Sequence, residues 1–326
     1  MNEDLMSRHP DQANAKGGTE LMQARLYNSL PRELLEKYQI WFSRYDENQV
    51  DPNKLQLLYV YDLPGDPMYN QSLSTEGRKR FKKIIFASNW QQQVFMHFYG
   101  LNWSDCLVMR SGIEPFDAAG LAEAKRRTKR DKIRLIYHTT PHRGLEILAD
   151  IFPVLSARYP GLLELDVFSS FSIYGWPGRD QEYKELFARL RHMDGVRYHG
   201  AVSNQTVREY LRKAHIFAYP SIWAETSCMA LIEAMSAGCV CVHPNYAVLP
   251  ETSGGLTAMH PMHEDKTVLA AIHMEYLDNA IRNLLDHGQD LRQQLRLQKA
   301  YADASYSWAV RAEEWKALLT KLAGGN

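Results

Sequence analysis

The run Glu225-Thr-Ser-Cys-Met-Ala-Leu-Ile-Glu233-Ala-Met-Ser-Ala-Gly238 carries the sharpest chemistry in the chain. Glu225 precedes a predicted helix and Glu233 falls about two turns inside it. Carboxylates accept hydrogen bonds from vicinal diols. Between the two glutamates, the first-turn amides near Ser227, Cys228 and Met229 are expected to lack intrahelical partners, and the helix dipole favours an anion there. A phosphate or a sugar hydroxyl suits that spot. A second run, His138-Thr-Thr-Pro-His142-Arg143-Gly144, leaves a predicted strand and enters a helix. Arg143 offers two parallel N–H donors for a diphosphate, and Gly144 lets backbone approach closely. Each run alone also describes an ordinary solvated helix start.

Positioning such groups requires strand ends and helix starts, and the chain alternates the two throughout. Short β-branched or aromatic runs predict strands at 38–45, 56–62, 84–88 and 106–110, with helices at 19–30, 74–82 and 89–99. A second series predicts strands at 133–138, 163–169, 196–200, 216–220, 239–243 and 255–259. Its helices are expected at 143–158, 179–192, 204–214 and 227–237. Beyond 259 the pattern is wholly helical, at 267–287, 291–302 and 307–322. Alternating strand and helix signals predict parallel sheets covered on both faces. The expected fold is α/β, with a Rossmann-like domain over 1–120, a second over 121–305 and a closing helix over 306–326. The charged run Ala-Glu-Ala-Lys-Arg-Arg-Thr-Lys-Arg-Asp-Lys ending at Lys132 suits a solvated linker.

Composition narrows the classes. The chain has 326 residues, enough for two domains, and 38 basic side chains balance 38 acidic ones. No overall field draws it to nucleic acid or an anionic bilayer. Apolar runs are strand-sized, and the polar N-terminus shows no signal-peptide core, so no membrane span and a cytoplasmic address are expected. Cys106, Cys228, Cys239 and Cys241 show no CxxC spacing and are expected as buried, reduced thiols.

Taken in order, several segments resemble retaining glycosyltransferase family 4, the glycosyl transferases group 1. The glutamate pair with Ala-Met-Ser-Ala-Gly238 is similar to the family's E-x7-E signature. Ala87-Ser-Asn-Trp-Gln91 resembles its strand-end serine segment, and Val108-Met-Arg-Ser-Gly-Ile113 its turn before the linker. Arg143-Gly144 resembles its Lys-Gly turn, Leu249-Pro250-Glu251 its Pro-Glu loop, and Gly17-Gly18 its first-domain glycine loop. The resemblance is strongest over residues 84–286. It implies a GT-B fold, with two Rossmann-like domains facing a cleft and the last helix crossing back to the first domain. It implies that Glu233 holds the donor ribose, Glu225 the donor sugar, and Arg143 the diphosphate. Val202 lines the nucleobase pocket, and Gly17 and Gly18 bring amides to the donor phosphate or the acceptor; His138 or His142 is expected to assist the clamp. The co-substrate implied is a UDP- or GDP-sugar, with no bound cofactor.

The chain departs from the family pattern at three places. Tyr137 or His138 stands where a second basic residue is usual, Cys228 where glycine is usual, and no strand pattern is visible in residues 1–16. The first strand is therefore expected to be missing or replaced. No metal site is expected: Asp62-x3-Asp66 is too widely spaced for a DxD motif, and His260 with His263 lacks a third ligand. Asp62, at the end of the 56–62 strand, is the expected acceptor contact. The acceptor itself stays open between a saccharide, another hydroxyl compound and a hydroxymethylated base in DNA. The basic run Arg78-Lys-Arg-Phe-Lys-Lys83 motivates the last of these, although acidic residues outnumber basic ones over residues 1–120. A GT-B nucleotide-sugar epimerase is the alternative enzyme class.

Overall fold

A computed structural model describes residues 16–125, 131–286 and 289–324. Residues 126–130 of the basic run, and the stretch before Lys16, lie outside the described residues. Two parallel sheets form. The first has the order β1-β2-β3-β4, from β1 (Tyr38–Phe42), β2 (Leu55–Val60), β3 (Phe81–Phe86) and β4 (Cys106–Val108). The second comprises β5 (Ile133–Tyr137), β6 (Leu163–Val167), β7 (Val196–Tyr198), β8 (Ile216–Ala218), β9 (Val240–Pro244) and β10 (Ala258–His260). Their order is β10-β9-β8-β5-β6-β7. Every predicted strand is present. The central strands are buried on both faces, as near-continuous apolar runs in parallel sheets require.

The helices of the first domain are α1 (Gly18–Ser29), the single turn α2 (Arg32–Leu35), α3 (Met68–Ser72) and α4 (Asn89–Tyr99). A helix predicted over 74–82 does not form. A 3-10 turn occupies Gly77–Arg80, and Phe81 already begins β3. Ladder pairing of Leu57 with Lys83 and Leu58 with Ile84 outweighs the local helical pattern. Four cations of the basic run serve this corner. Arg78 donates to the Tyr99 and Gly100 carbonyls (3.0 and 2.9 Å), Lys83 to the Ser104 carbonyl and Arg80 to the Tyr45 hydroxyl, while Lys79 pairs with Glu76. That employment argues against the run as a DNA-contacting face.

The chain crosses between sheets through α5 (Ala118–Ala124). The second domain adds α6 (Leu145–Arg158), α7 (Lys184–Arg191), α8 (Asn204–Leu211), α9 (Met229–Ser236) and α10 (Leu249–Ser253). Then follow α11 (Lys266–Leu285), α12 (Gln289–Tyr306) and α13 (Trp308–Ala323). As the resemblance implies, α13 returns to the first domain. Trp308, Trp315 and Leu319 join the core made by Met22, Leu57, Tyr59 and Ile85. Trp308 Nε1 donates to Ser29 Oγ (2.7 Å), and Trp315 meets Tyr59 edge-on at 5.3 Å. The outgoing and returning chains clasp at one point: Ile113 N donates to the Tyr306 carbonyl and Trp308 N to the Ile113 carbonyl, both at 2.7 Å.

Three buried histidines stand at the β9–β10 edge of the second sheet, on β9, β10 and α11. His260 Nδ1 donates to the Pro261 carbonyl (2.8 Å), and its Nε2 accepts from His273 Nδ1 (2.8 Å). His243 donates to the Pro244 carbonyl (2.9 Å) and accepts from Thr257 Oγ1 (2.8 Å). His260, weighed above with His263 as a metal ligand, is thus turned inward to His273. Burial lowers the His243 pKa to about 4 and takes His273 well below its ordinary value. A histidine with a depressed folded-state pKa contributes full stability above about pH 6.5, and loses it as pH falls toward the folded value, because the unfolded chain binds the proton first. At pH 5 His243 alone is expected to cost about 2 kcal/mol. Thermal melts at pH 7.5 and pH 5 check this; equal melting temperatures would sink it.

Candidate functional site

The carboxyl ends of both sheets face each other across a cavity of about 200 Å3. In open α/β sheets ligands bind at this edge. The second domain contributes the turns after β5, β6, β7 and β8, and the first contributes residues 16–19, Leu21, Tyr61 and Ser111. Direct bonds join the two sides. Thr226 Oγ1 donates to the Tyr61 carbonyl (2.8 Å), and Ser227 Oγ to Ser111 Oγ (2.9 Å). Asn204 pairs with both backbone groups of Lys16 at 3.0 Å. The Glu251 carboxylate receives the Asn89 and Trp90 amides (2.9 and 2.8 Å), capping α4 from the opposite domain.

At the cavity's centre Arg143 and Glu225 form a buried ion pair, with Nη1 to Oε1 at 2.6 Å. The Tyr219 hydroxyl donates to the same carboxylate oxygen. Burial, then the Glu225 charge, push the Tyr219 phenol well above its ordinary pKa, so it stays a donor. Burial by itself lowers the Arg143 pKa, but Glu225 together with Tyr174, Tyr219 and Cys228 more than reverses this and the guanidinium remains charged. Arg143 Nη2 also reaches the Tyr174 hydroxyl (3.3 Å), while its Nε has no hydrogen-bond partner among the described residues. An arginine with an unmet donor, aimed into a cavity beside a helix start, is suited to an anion.

That helix start is α9. It opens at Cys228 with no side-chain cap; the Leu231 amide turns back to the Cys228 carbonyl (3.1 Å), and the Met229 amide is left for a ligand. Cys228 takes the left-handed conformation, φ +56°. This explains why glycine is usual there in the family: an L-residue at that angle is strained. Burial and Glu225 hold the thiol well above its ordinary pKa, which keeps it protonated. From across the cleft, Gly17 caps α1. A Cβ on Gly17 would strike the Tyr174 ring and Glu20, so only glycine lets the two domains approach here. Gly18 rests against Met229, where a Cβ would lie 3.2 Å from the sulfur.

His138 also lines the cavity, and its ring packs on Phe217 at 5.0 Å. Burial lowers its pKa to about 3, so it is neutral and adds no charge to the clamp. Val202 lines the cavity beside Glu233. Glu225, Arg143, Glu233, Gly17, Gly18, Val202, Ser227, Cys228, Met229 and His138 therefore converge, as the motifs implied.

Asp62 does not join them. It lies outside the cavity lining, where its carboxylate accepts from the Tyr69 hydroxyl (3.1 Å) and its carbonyl from Gln91 Nε2 (2.8 Å). The cause is strand alternation. Neighbouring side chains point to opposite sides, so Tyr61 turns to the cleft and Asp62 away from it. Sequence reasoning also missed Tyr61, Ser111, Tyr174, Tyr219 and Arg208 as members of the site. Tyr219 could have been found, because it ends the β8 strand signal six residues before Glu225. Tyr174 and Arg208 carry no local signal.

Comparisons with known proteins agree with this geometry. Residues 134–287 match the family described as glycosyl transferases group 1. The second domain is similar to that family, and the architecture of the chain is GT-B. One subunit of the human phosphatidylinositol N-acetylglucosaminyltransferase is 33% identical over 118 residues, 36% of this chain and 22% of that protein. A phosphatidyl-myo-inositol mannosyltransferase from Propionibacterium freudenreichii is 26% identical over 255 residues, 76% of this chain and 58% of its own length. The matches thus span less than two thirds of either relative. Among solved structures, a glycosyltransferase from Rickettsia africae superposes with a TM-score of 0.65 at 16% identity, covering 100% of this chain and 85% of that one. Anabaena HepE, solved with UDP and glucose, superposes with a TM-score of 0.61 at 14% identity, covering 82% and 72%. Among the described residues, no helix is long and apolar enough to cross a membrane.

Proposed function

We propose that the protein transfers a sugar from a nucleotide-diphosphate sugar, UDP- or GDP-linked, to an acceptor hydroxyl with retention of anomeric configuration. The observation that carries this reading is the Arg143–Glu225 pair at the uncapped start of α9, with Glu233 on the same cavity wall. Arg143 and the α9 amides supply positive potential for a departing diphosphate, so the reading calls for no metal ion. Glu225 takes hydroxyls of the donor sugar and Glu233 those of the ribose. The sugar passes through an oxocarbenium-like state. The acceptor attacks the face from which the diphosphate leaves, and the departing phosphate oxygen takes the acceptor proton. Relatives named for phosphatidylinositol make an inositol-type or saccharide hydroxyl the first acceptor to try. A cytoplasmic setting belongs to this reading, in keeping with four free, buried thiols.

Donor hydrolysis without acceptor tests the proposal, offering UDP-glucose, UDP-N-acetylglucosamine, UDP-galactose and GDP-mannose in turn. One donor is expected to release nucleoside diphosphate slowly. Glu233→Ala is expected to raise its KM about 10–100-fold, the loss of hydrogen bonds to a charged group. Conversion of the donor to an epimer instead of release would point to the epimerase alternative. No binding of UDP or GDP at all would overturn the reading.

A further inference from the structure

One ion pair at the cavity wall joins Glu233 to an arginine that has no part in the chemistry above. Arg208, one turn into α8, donates through Nη1 to Glu233 Oε1 (3.1 Å) and through Nη2 to the Glu114 carbonyl (2.8 Å). Its guanidinium lies against the Phe116 ring, 4.0 Å from the centroid. Three contacts from two parts of the chain fix its plane. Its side chain is 15% exposed and that of Glu233 12%, so the pair is largely withdrawn from water. Arg25 of α1, bonded to the Gly112 carbonyl, also lies within electrostatic reach of Glu233.

We infer that Arg208 is a positioning residue for nucleotide recognition: it holds one oxygen of Glu233 so that the other faces the cavity to accept the ribose diol. The inference rests on the nucleotide-sugar reading. A free glutamate side chain samples many rotamers, and binding a diol would have to immobilise it. A carboxylate already pinned through one oxygen avoids that cost, and its charge stays compensated before the ligand arrives. Glu233 accepts no other side-chain hydrogen bond among the described residues, which leaves its second oxygen for the ligand. Lysine cannot reproduce the arrangement. A single ammonium does not grip the Glu233 carboxylate and the Glu114 carbonyl in one plane, and it does not stack on Phe116 in the same way.

Calorimetric binding of UDP, GDP and the 2′-deoxy form of whichever binds, to wild type, Arg208→Met and Arg208→Lys, tests it. Wild type is expected to prefer the ribonucleotide about tenfold or more. In Arg208→Met that preference should fall to within about twofold of unity, and in Arg208→Lys to an intermediate ratio. An equal loss of affinity for both nucleotides would mean that Arg208 only supports the packing of α8, and the inference fails. An unchanged ratio also overturns it. Should Arg208→Met not fold, the lysine variant carries the same comparison, and a ratio equal to wild type there refutes the idea. If wild type binds neither nucleotide, the nucleotide-sugar reading itself falls, a result distinct from a preserved ribose preference.

Discussion

Arg143→Ala is expected to lower donor turnover about 10²–10³-fold, the usual consequence of removing one preorganised electrostatic donor from a leaving-group site. It should also destabilise the fold by about 3–5 kcal/mol, because Glu225, 5% exposed, is left as an uncompensated buried charge. The two effects have separate causes and can be separated. In the double variant Arg143→Ala/Glu225→Gln the buried charge is gone, so part of the stability should return. Turnover should not return, since the diphosphate still lacks its guanidinium. Steady-state kinetics and thermal melts of both variants check this. Recovery of activity along with stability would mean that Arg143 serves the fold and not the reaction. Full activity in the single variant would remove the central group from the proposed mechanism.

Gly144→Ala is expected to cost about 4 kcal/mol or more, from strain at a special backbone angle combined with overpacking. Gly144 sits at φ +107°, outside the range that L-residues adopt readily, and an added Cβ would run into the Pro220 carbonyl. Both partners are backbone at the carboxyl ends of adjacent strands, β5 and β8, so neither can swing aside. For a chain of this size that cost corresponds to a fall of about 6 °C in melting temperature. Because Gly144 directly follows Arg143, any folded fraction should also show a displaced guanidinium and weakened donor binding. Melting and nucleotide titration of the purified variant check both points. A melting temperature within about 2 °C of wild type would contradict the close contact.

The sequence readings that survived and those that failed divide along a physical line. Strand and helix signals in α/β proteins are local. Runs such as Leu57–Val60 and Ile216–Ala218 are apolar throughout because parallel strands are covered on both faces. The motif residues were legible for a related reason. Each stands at a strand end or helix start, and this fold places its ligands there. The helix expected over 74–82 failed because pairing of β3 with β2 lies some 25 residues away in the chain and cannot be read from the local pattern. A one-residue alternation past the end of β2 put Tyr61 in the cavity lining and left Asp62 outside it.

By itself, the order of residues determined the alternating architecture, the two glutamates of the α9 region and the arginine after β5, since periodicity and turn chemistry act over a few residues; the return of the last helix was implied only by the family resemblance. The tertiary structure alone decided the partners. It set Arg143 and Tyr219 on one oxygen of Glu225, Arg208 on one oxygen of Glu233, Tyr174 against Gly17, and Glu251 over the start of α4. These contacts join segments from six to more than 160 residues apart. Two of them, Tyr174 against Gly17 and Glu251 over α4, depend on how the two sheets meet across a cleft, and that packing has no signature in any one stretch of chain.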